Sequence, residues 1–220
     1  MSIVIAKKVK NGFILGADRC VTSGSMKGTT QKIFKARKEN DMYIGVVGYL
    51  RDLQLLRTAS DLLDVNAIRR ENLTEDSIVE YTIPQIRKLM KDNDRYIVDK
   101  EGETGWNSHI IIAYKDKAFE ITPHFVVREI TDFTAIGSPQ DFATGSYKIL
   151  KDTNSKLSDF DMVESIIETT IANNGYVGYP IDIIDTSKDT DFTVIDAEIT
   201  IKKTPTTKKD EVNKNGTNKK

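Results

Sequence analysis

Residues 2–18 read SIVIAKKVKNGFILGAD, and the fold turns on this stretch. Two apolar runs, 2–9 and 12–18, flank Lys10-Asn11, and Gly12 follows the asparagine. Asn-Gly between two such runs predicts a β-hairpin. The runs alternate little between apolar and polar residues, so both strands are expected to be covered on both faces. A second pair follows the same logic, with strands at 32–37 and 42–47 and a turn at 38–41.

The period then changes. Leu55, Leu56, Ala59, Leu62 and Leu63 recur at helical spacing, as do Val79, Ile83, Ile86 and Met90. Pro84 lies inside the second run and should kink or divide that helix. Strands are expected at 108–114, 117–122, 124–131 and 133–136. Ser138-Pro139 with Asp141 predicts an N-capped helix over about 139–152, with Phe142, Ala143, Ile149 and Leu150 on its apolar face. Ser158-x-x-Asp161 opens another over about 159–173, carrying Val163, Ile166, Ile167 and Ile171. Strands at 181–185 and 191–199 complete the order. Strands apolar on both faces, with two pairs of helices, imply an α+β fold of two stacked sheets with helices outside each: a four-layer αββα sandwich.

Composition narrows the function. Lys plus Arg (32) nearly cancels Asp plus Glu (33), so overall charge gives no reason to expect a nucleic-acid or membrane partner. Apolar runs such as Ile110-Ile111-Ile112-Ala113 are far short of the ~18 residues of a membrane span. Strand-like sequence begins at Ile3 and runs into Lys7-Lys8, so no secretory leader is expected. The single cysteine, Cys20, fits a reducing cytoplasm, and His109 and His124 are the only histidines, so no Cys/His metal site is expected. Near-neutrality hides an asymmetry, because 202–220 holds seven lysines and two acids. The division expected is one domain over 1–201 and a disordered Lys-rich tail over 202–220.

Common catalytic signatures are missing. There is no phosphate-binding loop, Gly-x-Ser-x-Gly elbow or His-Glu-x-x-His motif. His109 sits within a strand run and reads as a core or strand-edge residue, and Cys20 as a small filler. A nucleophile at the chain terminus, with its own α-amine as base, needs no histidine. An α-amine titrates near ~8, so an appreciable fraction is free base at neutral pH. Ser2 is small enough for routine trimming of Met1, which would expose it at the start of a core strand.

Five segments in order resemble the N-terminal-nucleophile hydrolases, and most closely the proteasome β subunits and HslV. They are Ser2–Ala6 with its hairpin, Gly16-Ala17-Asp18, Met26-Lys27-Gly28 with Lys32-Ile33, Gly45–Gly48 with Arg51-Asp52, and Ala135–Ser138. The resemblance covers most of 1–200 and implies roles. Ser2, found by counting back from Asp18, would replace the family's threonine nucleophile. Lys32 would supply a cation beside it, Asp18 would hold that cation, and the N–H of Gly48 would bind the oxyanion. Ser138 would help position the terminal amine. Two family positions depart: an aspartate and a serine are replaced here by Asn174 and Val177.

The resemblance thus implies a threonine-type endopeptidase subunit, without cofactor or metal, acting on peptides or unfolded proteins in a homo-oligomeric ring. An ATP-dependent unfoldase would be a separate partner. Asn174 and Val177 leave open an inactive ring-forming scaffold or inhibitor, and a small-amide amidohydrolase of the same fold is a third reading.

Overall fold

The structure, a computed structural model, describes residues 2–23, 26–36, 42–60, 73–98, 102, 104–153, 155–188 and 190–197. The opening hairpin forms as expected. Strand β1 (Val4–Val9) pairs antiparallel with β2 (Gly12–Asp18), Val4 opposite Ala17 and Val9 opposite Gly12. Every residue of β2 is buried. Strands β3 (Cys20–Ser23) and β4 (Met26–Thr29) form a small ribbon that the sequence reading does not predict. Its polar, exposed second strand carries no apolar alternation to betray it.

Next come β5 (Ile33–Lys35) and β6 (Met42–Gly48), shorter and longer than expected; their turn, 38–41, lies outside the described residues. Helix α1 (Leu50–Thr58) follows, and the predicted Leu62 and Leu63 lie outside the described residues. The second helix is divided, as Pro84 requires. Helix α2 (Glu75–Ser77) passes into a π-helical turn (Ile78–Thr82) and then into α3 (Ile83–Lys91). Proline has no N–H to donate, and the wide turn just before it absorbs the mismatch. The extra residue rotates the phase of the apolar stripe, so Ile78 is buried and Val79, expected in the core, is exposed.

A short ribbon of β7 (Ile97–Val98) and β8 (Thr104–Gly105) leads to β9 (Ser108–Tyr114), β10 (Lys117–Ile121) and β11 (Val127–Glu129). The last of these is shorter than predicted because Thr122–Phe125 turns, with Phe125 at φ 62°. Strand β12 (Phe133–Ile136) is as expected. Helices α4 (Gln140–Asp152) and α5 (Asp159–Asn173) precede β13 (Ile181–Asp185) and β14 (Thr193–Ile195).

Two features of α4 correct the sequence reading. Pro139, not Ser138, is its N-cap, and no side chain caps the helix. Gly137 turns the chain at φ 115°, and the first bond of the turn runs from the Gln140 N–H to the Gly137 carbonyl. Phe142 and Ile149 are exposed, while Ala143 and Tyr147 face the core. The cap on α5 does form, with the Asp161 N–H donating to Ser158 Oγ at 3.1 Å.

The strands make two five-stranded sheets, ordered β12-β1-β2-β13-β14 and β11-β10-β9-β6-β5, antiparallel at every pairing. Alternate residues of each strand enter different cores. Val4, Ala6, Phe13 and Leu15 of one sheet pack with Tyr43, Ile111, Ala113 and Ala118 of the other. Ile5, Ile14 and Ile183 turn instead toward Ala143 of α4 and Val163, Ile166 and Ile167 of α5. Ile44, Ile110, Ile112 and Phe119 meet Leu53 and Leu56 of α1 and Ile86 and Met90 of α3. Burial on both faces is why these strands read as continuous apolar runs. The expected tail, 202–220, lies outside the described residues.

Candidate active site

The hairpin register builds the site. Pairing of β1 with β2 brings Ile3 to the level of Asp18, where the Ile3 N–H donates to Asp18 Oδ1 at 2.9 Å. Ser2 is the residue immediately before. Asp18 has no exposed surface and Lys32 only 2%. Lys32 Nζ donates to Asp18 Oδ1 at 2.7 Å and to the Cys20 carbonyl at 2.6 Å. The Gly178 N–H reaches Asp18 Oδ2 at 3.3 Å. One carboxylate thus receives an ammonium and two backbone amides.

Burial governs the electrostatics of this pair. It pushes the Lys32 ammonium below the usual lysine range, and the charge and hydrogen bond of Asp18 only partly restore it. Burial likewise pushes the Asp18 carboxyl up, against Lys32 and the amides of Ile3 and Gly178. Both shifts bring the neutral forms closer to working pH.

Ser2 and Gly48 border two adjoining clefts of about 390 and 580 Å³. Ser138 lines the smaller cleft, with Gly137, Ser108 and His109. Val21, Met26, Tyr49 and Leu50 give the larger an apolar wall. Two glycines here are conformationally obligatory. Gly48 has φ 128°, and a Cβ on it would fall 2.3 Å from the Asn107 carbonyl oxygen. Gly137 has φ 115°, and a Cβ there would fall 1.9 Å from the Ser2 carbonyl oxygen. The chain at Ser2 is therefore pressed against the Gly137–Ser138 turn.

Ser2, Gly48 and Ser138 share one cleft; Asp18 and Lys32 do not line it and connect to it through the amide of Ile3, the residue after Ser2. Met1 lies outside the described residues. Asn174 ends α5 and accepts the Tyr176 N–H at 3.0 Å, while the Val177 side chain is buried against the α5 core. The backbone contributions of Cys20 and Gly178 escape sequence reading, because a carbonyl and an amide carry no residue signature. His109, read as a strand residue, does lie in β9, and it also borders the smaller cleft. Its Nε2 is 2.8 Å from Glu120 Oε1. Burial alone would raise the Glu120 carboxyl, but His109, Arg128 and Thr134 overcome it and hold the value down to about 2. Among the described residues no cluster of His, Cys, Asp or Glu is arranged to hold a metal, and no helix is long and apolar enough to cross a membrane.

No family model and no curated relative matches the sequence. Solved structures do match. BPH from Thiobacillus denitrificans, in complex with epoxomicin, is 17% identical with a TM-score of 0.65, over 83% of this chain and 96% of that one. Anbu from Hyphomicrobium sp. strain MC1 is 16% identical with a TM-score of 0.64, over 89% and 88%. HslV from Trypanosoma brucei is 19% identical with a TM-score of 0.54, over 83% and 97%. The chain has the proteasome-like fold. At this level of identity the likeness concerns the fold.

Proposed function

We propose that the chain is a peptidase subunit of the proteasome and HslV type, with Ser2 as N-terminal nucleophile once Met1 is removed. The observation that carries this reading is the buried Asp18–Lys32 pair, anchored at 2.9 Å to the amide directly after Ser2. A charge pair is costly to bury, and this one stands where a terminal serine would need it. Ser2 Oγ attacks a peptide carbonyl and its proton passes to the α-amine. The N–H of Gly48 steadies the oxyanion, and the Lys32 charge favours both the free amine and the developing alkoxide. The departing amine takes the proton from the α-amine, leaving an acyl-serine. Water, activated by the same amine, hydrolyses that ester and restores Ser2. Ser138 positions the terminal amine.

The two sheets and the flanking helices stack as αββα in this reading. Subunits assemble into a homo-oligomer, as the solved helical assembly of the Anbu complex from Pseudomonas aeruginosa illustrates for one protein of this fold. Peptides or unfolded proteins are the substrates, and a separate ATP-driven unfoldase would deliver folded ones. The test begins with intact mass, because a retained Met1 leaves no catalytic amine and ends the proposal. Epoxomicin, seen on the Thiobacillus BPH, is the first probe. It should label the trimmed protein and leave Ser2→Ala unlabelled. A second reading, an inactive scaffold, draws on the buried apolar side chain of Val177 where the resemblance expects a serine. A trimmed protein that neither labels nor cleaves peptides would favour it.

A further inference from the structure

A second buried carboxylate lies behind the cleft and is not used by the mechanism above. Asp52, in the first turn of α1, has no exposed surface. Its Oδ2 accepts the Ser108 hydroxyl at 2.7 Å, and its Oδ1 accepts Arg95 Nε at 2.5 Å. Both partners touch the cleft machinery. Ser108 is buried directly opposite Gly48 across the β6–β9 pairing, and its Oγ would lie 2.5 Å from a Cβ on Gly48. The guanidinium of Arg95 lies over the ring of Tyr49, 4.8 Å from its centroid, and Tyr49 forms part of the larger cleft's wall.

We infer that Asp52 is a positioning residue that sets the Gly48 peptide through Ser108 and the Tyr49 wall through Arg95. The Ser108 hydroxyl fills the space a side chain at position 48 would need, so its rotamer bounds how far the Gly48 backbone can swing. The hydrogen bond to Asp52 fixes that rotamer. On the other arm, an exposed tyrosine ring would sample several rotamers, and a cation held over its face reduces that freedom. A first-turn carboxylate such as Asp52 also suits the α1 dipole, but that role needs neither Ser108 nor Arg95. One buried group bound to both is the arrangement expected where an oxyanion donor and a substrate wall must keep a common geometry.

This inference rests on the reading of Gly48 as oxyanion donor, and its two arms predict different kinetic signatures. Ser108→Ala should lower kcat about tenfold with little change in KM, because a displaced donor weakens transition-state binding selectively. Arg95→Gln should instead raise KM several-fold for substrates with a large apolar side chain and leave kcat closer to wild type. A merely structural role would lower stability in both variants without separating kcat from KM. Asp52→Asn, nearly the same shape, should combine the two effects, and its urea midpoint shows whether it folds. In parallel, the amide resonance of Gly48 should move in Ser108→Ala and Asp52→Asn, and that readout needs no activity. An unmoved Gly48 resonance in folded Asp52→Asn, or identical kinetic profiles for Ser108→Ala and Arg95→Gln, overturns the inference. A wild-type protein without peptidase activity overturns the proposed function instead, and a Gly48 shift would then support the positioning alone.

Discussion

Replacing Lys32 with methionine keeps most of the side chain's volume and removes its charge, isolating what the cation does for Asp18. The carboxylate would keep the amides of Ile3 and Gly178 but lose the Nζ contact at 2.7 Å, while remaining fully buried. Removing one member of a buried ion pair typically costs roughly 3–5 kcal/mol. Asp18 can limit the loss by taking a proton. From its ordinary value of 3.8, protonation near neutral pH costs about 4 kcal/mol, which is a ceiling. The two remaining amide donors do not ease protonation but partly stabilise the carboxylate where it stays charged, so the expected destabilisation is about 3 kcal/mol. For a domain of this size that is a fall in Tm of about 6–12 °C.

The pH dependence of this loss has a definite sign. Burial already raises the Asp18 carboxyl in the wild type, and Lys32→Met raises it further by removing the cation that opposes burial, so the variant's folded state takes up the proton at higher pH. The deficit relative to wild type is full near neutrality, shrinks as pH falls through the range where only the variant's Asp18 is protonated, and levels off once the wild-type carboxyl, itself raised above 3.8, is protonated too. Urea unfolding followed by circular dichroism, at about pH 7 and about pH 5, measures this directly. Adding Asp18→Asn to Lys32→Met should recover more than half of the stability, since no buried charge remains. Neither variant should label with epoxomicin. A Lys32→Met midpoint equal to wild type, or a deficit that ignores pH, would refute the buried pairing. Full labelling in Lys32→Met would refute its catalytic role.

Glu120, held down to about 2 from an ordinary 4.5, contributes stability that is complete above about pH 4.5 and lost as pH falls through about 2. Glu120→Gln should flatten that acid limb by on the order of 2 kcal/mol, discounted because Arg128 is largely exposed, and acid titration of the unfolding midpoint reads it. Gly137→Ala should cost about 2–4 kcal/mol and abolish labelling at Ser2, because the new methyl group meets the Ser2 carbonyl; wild-type stability would contradict that close approach. Ser158→Ala removes the α5 cap and should cost about 1 kcal/mol in urea unfolding while leaving the labelling rate unchanged.

The elements legible in the sequence are those whose signal is local. Lys10-Asn11-Gly12 places the first turn, Pro84 divides its helix, and Ser158 caps α5, each through the chemistry of one or two residues. Misreadings arise where a neighbour in space overrides the local pattern. Ser138-Pro139 looks like a capped helix start, but Gly137 must turn beneath the Ser2 carbonyl, and the helix begins at Gln140. Phe142 and Ile149 look like core residues, yet the sheet meets α4 along Ala143 and Tyr147. The β3–β4 ribbon has no apolar pattern at all, because its second strand is exposed along its length.

The site divides in the same way. The residues 2–18 that open the chain determine by themselves a hairpin with Asp18 at its far end, because strand pairing over a short turn is a local matter. The proposed nucleophile is likewise a local matter, a serine just ahead of β1, the strand that pairs with β2. Tertiary structure alone decides that Lys32, fourteen positions from Asp18, turns inward to meet it, and that Asp52 reaches Ser108 across fifty-six. The physical reason is burial. A lysine or an aspartate in an extended sequence reads as a solvated charge, and only the closing of the two sheets removes the water that would otherwise satisfy it.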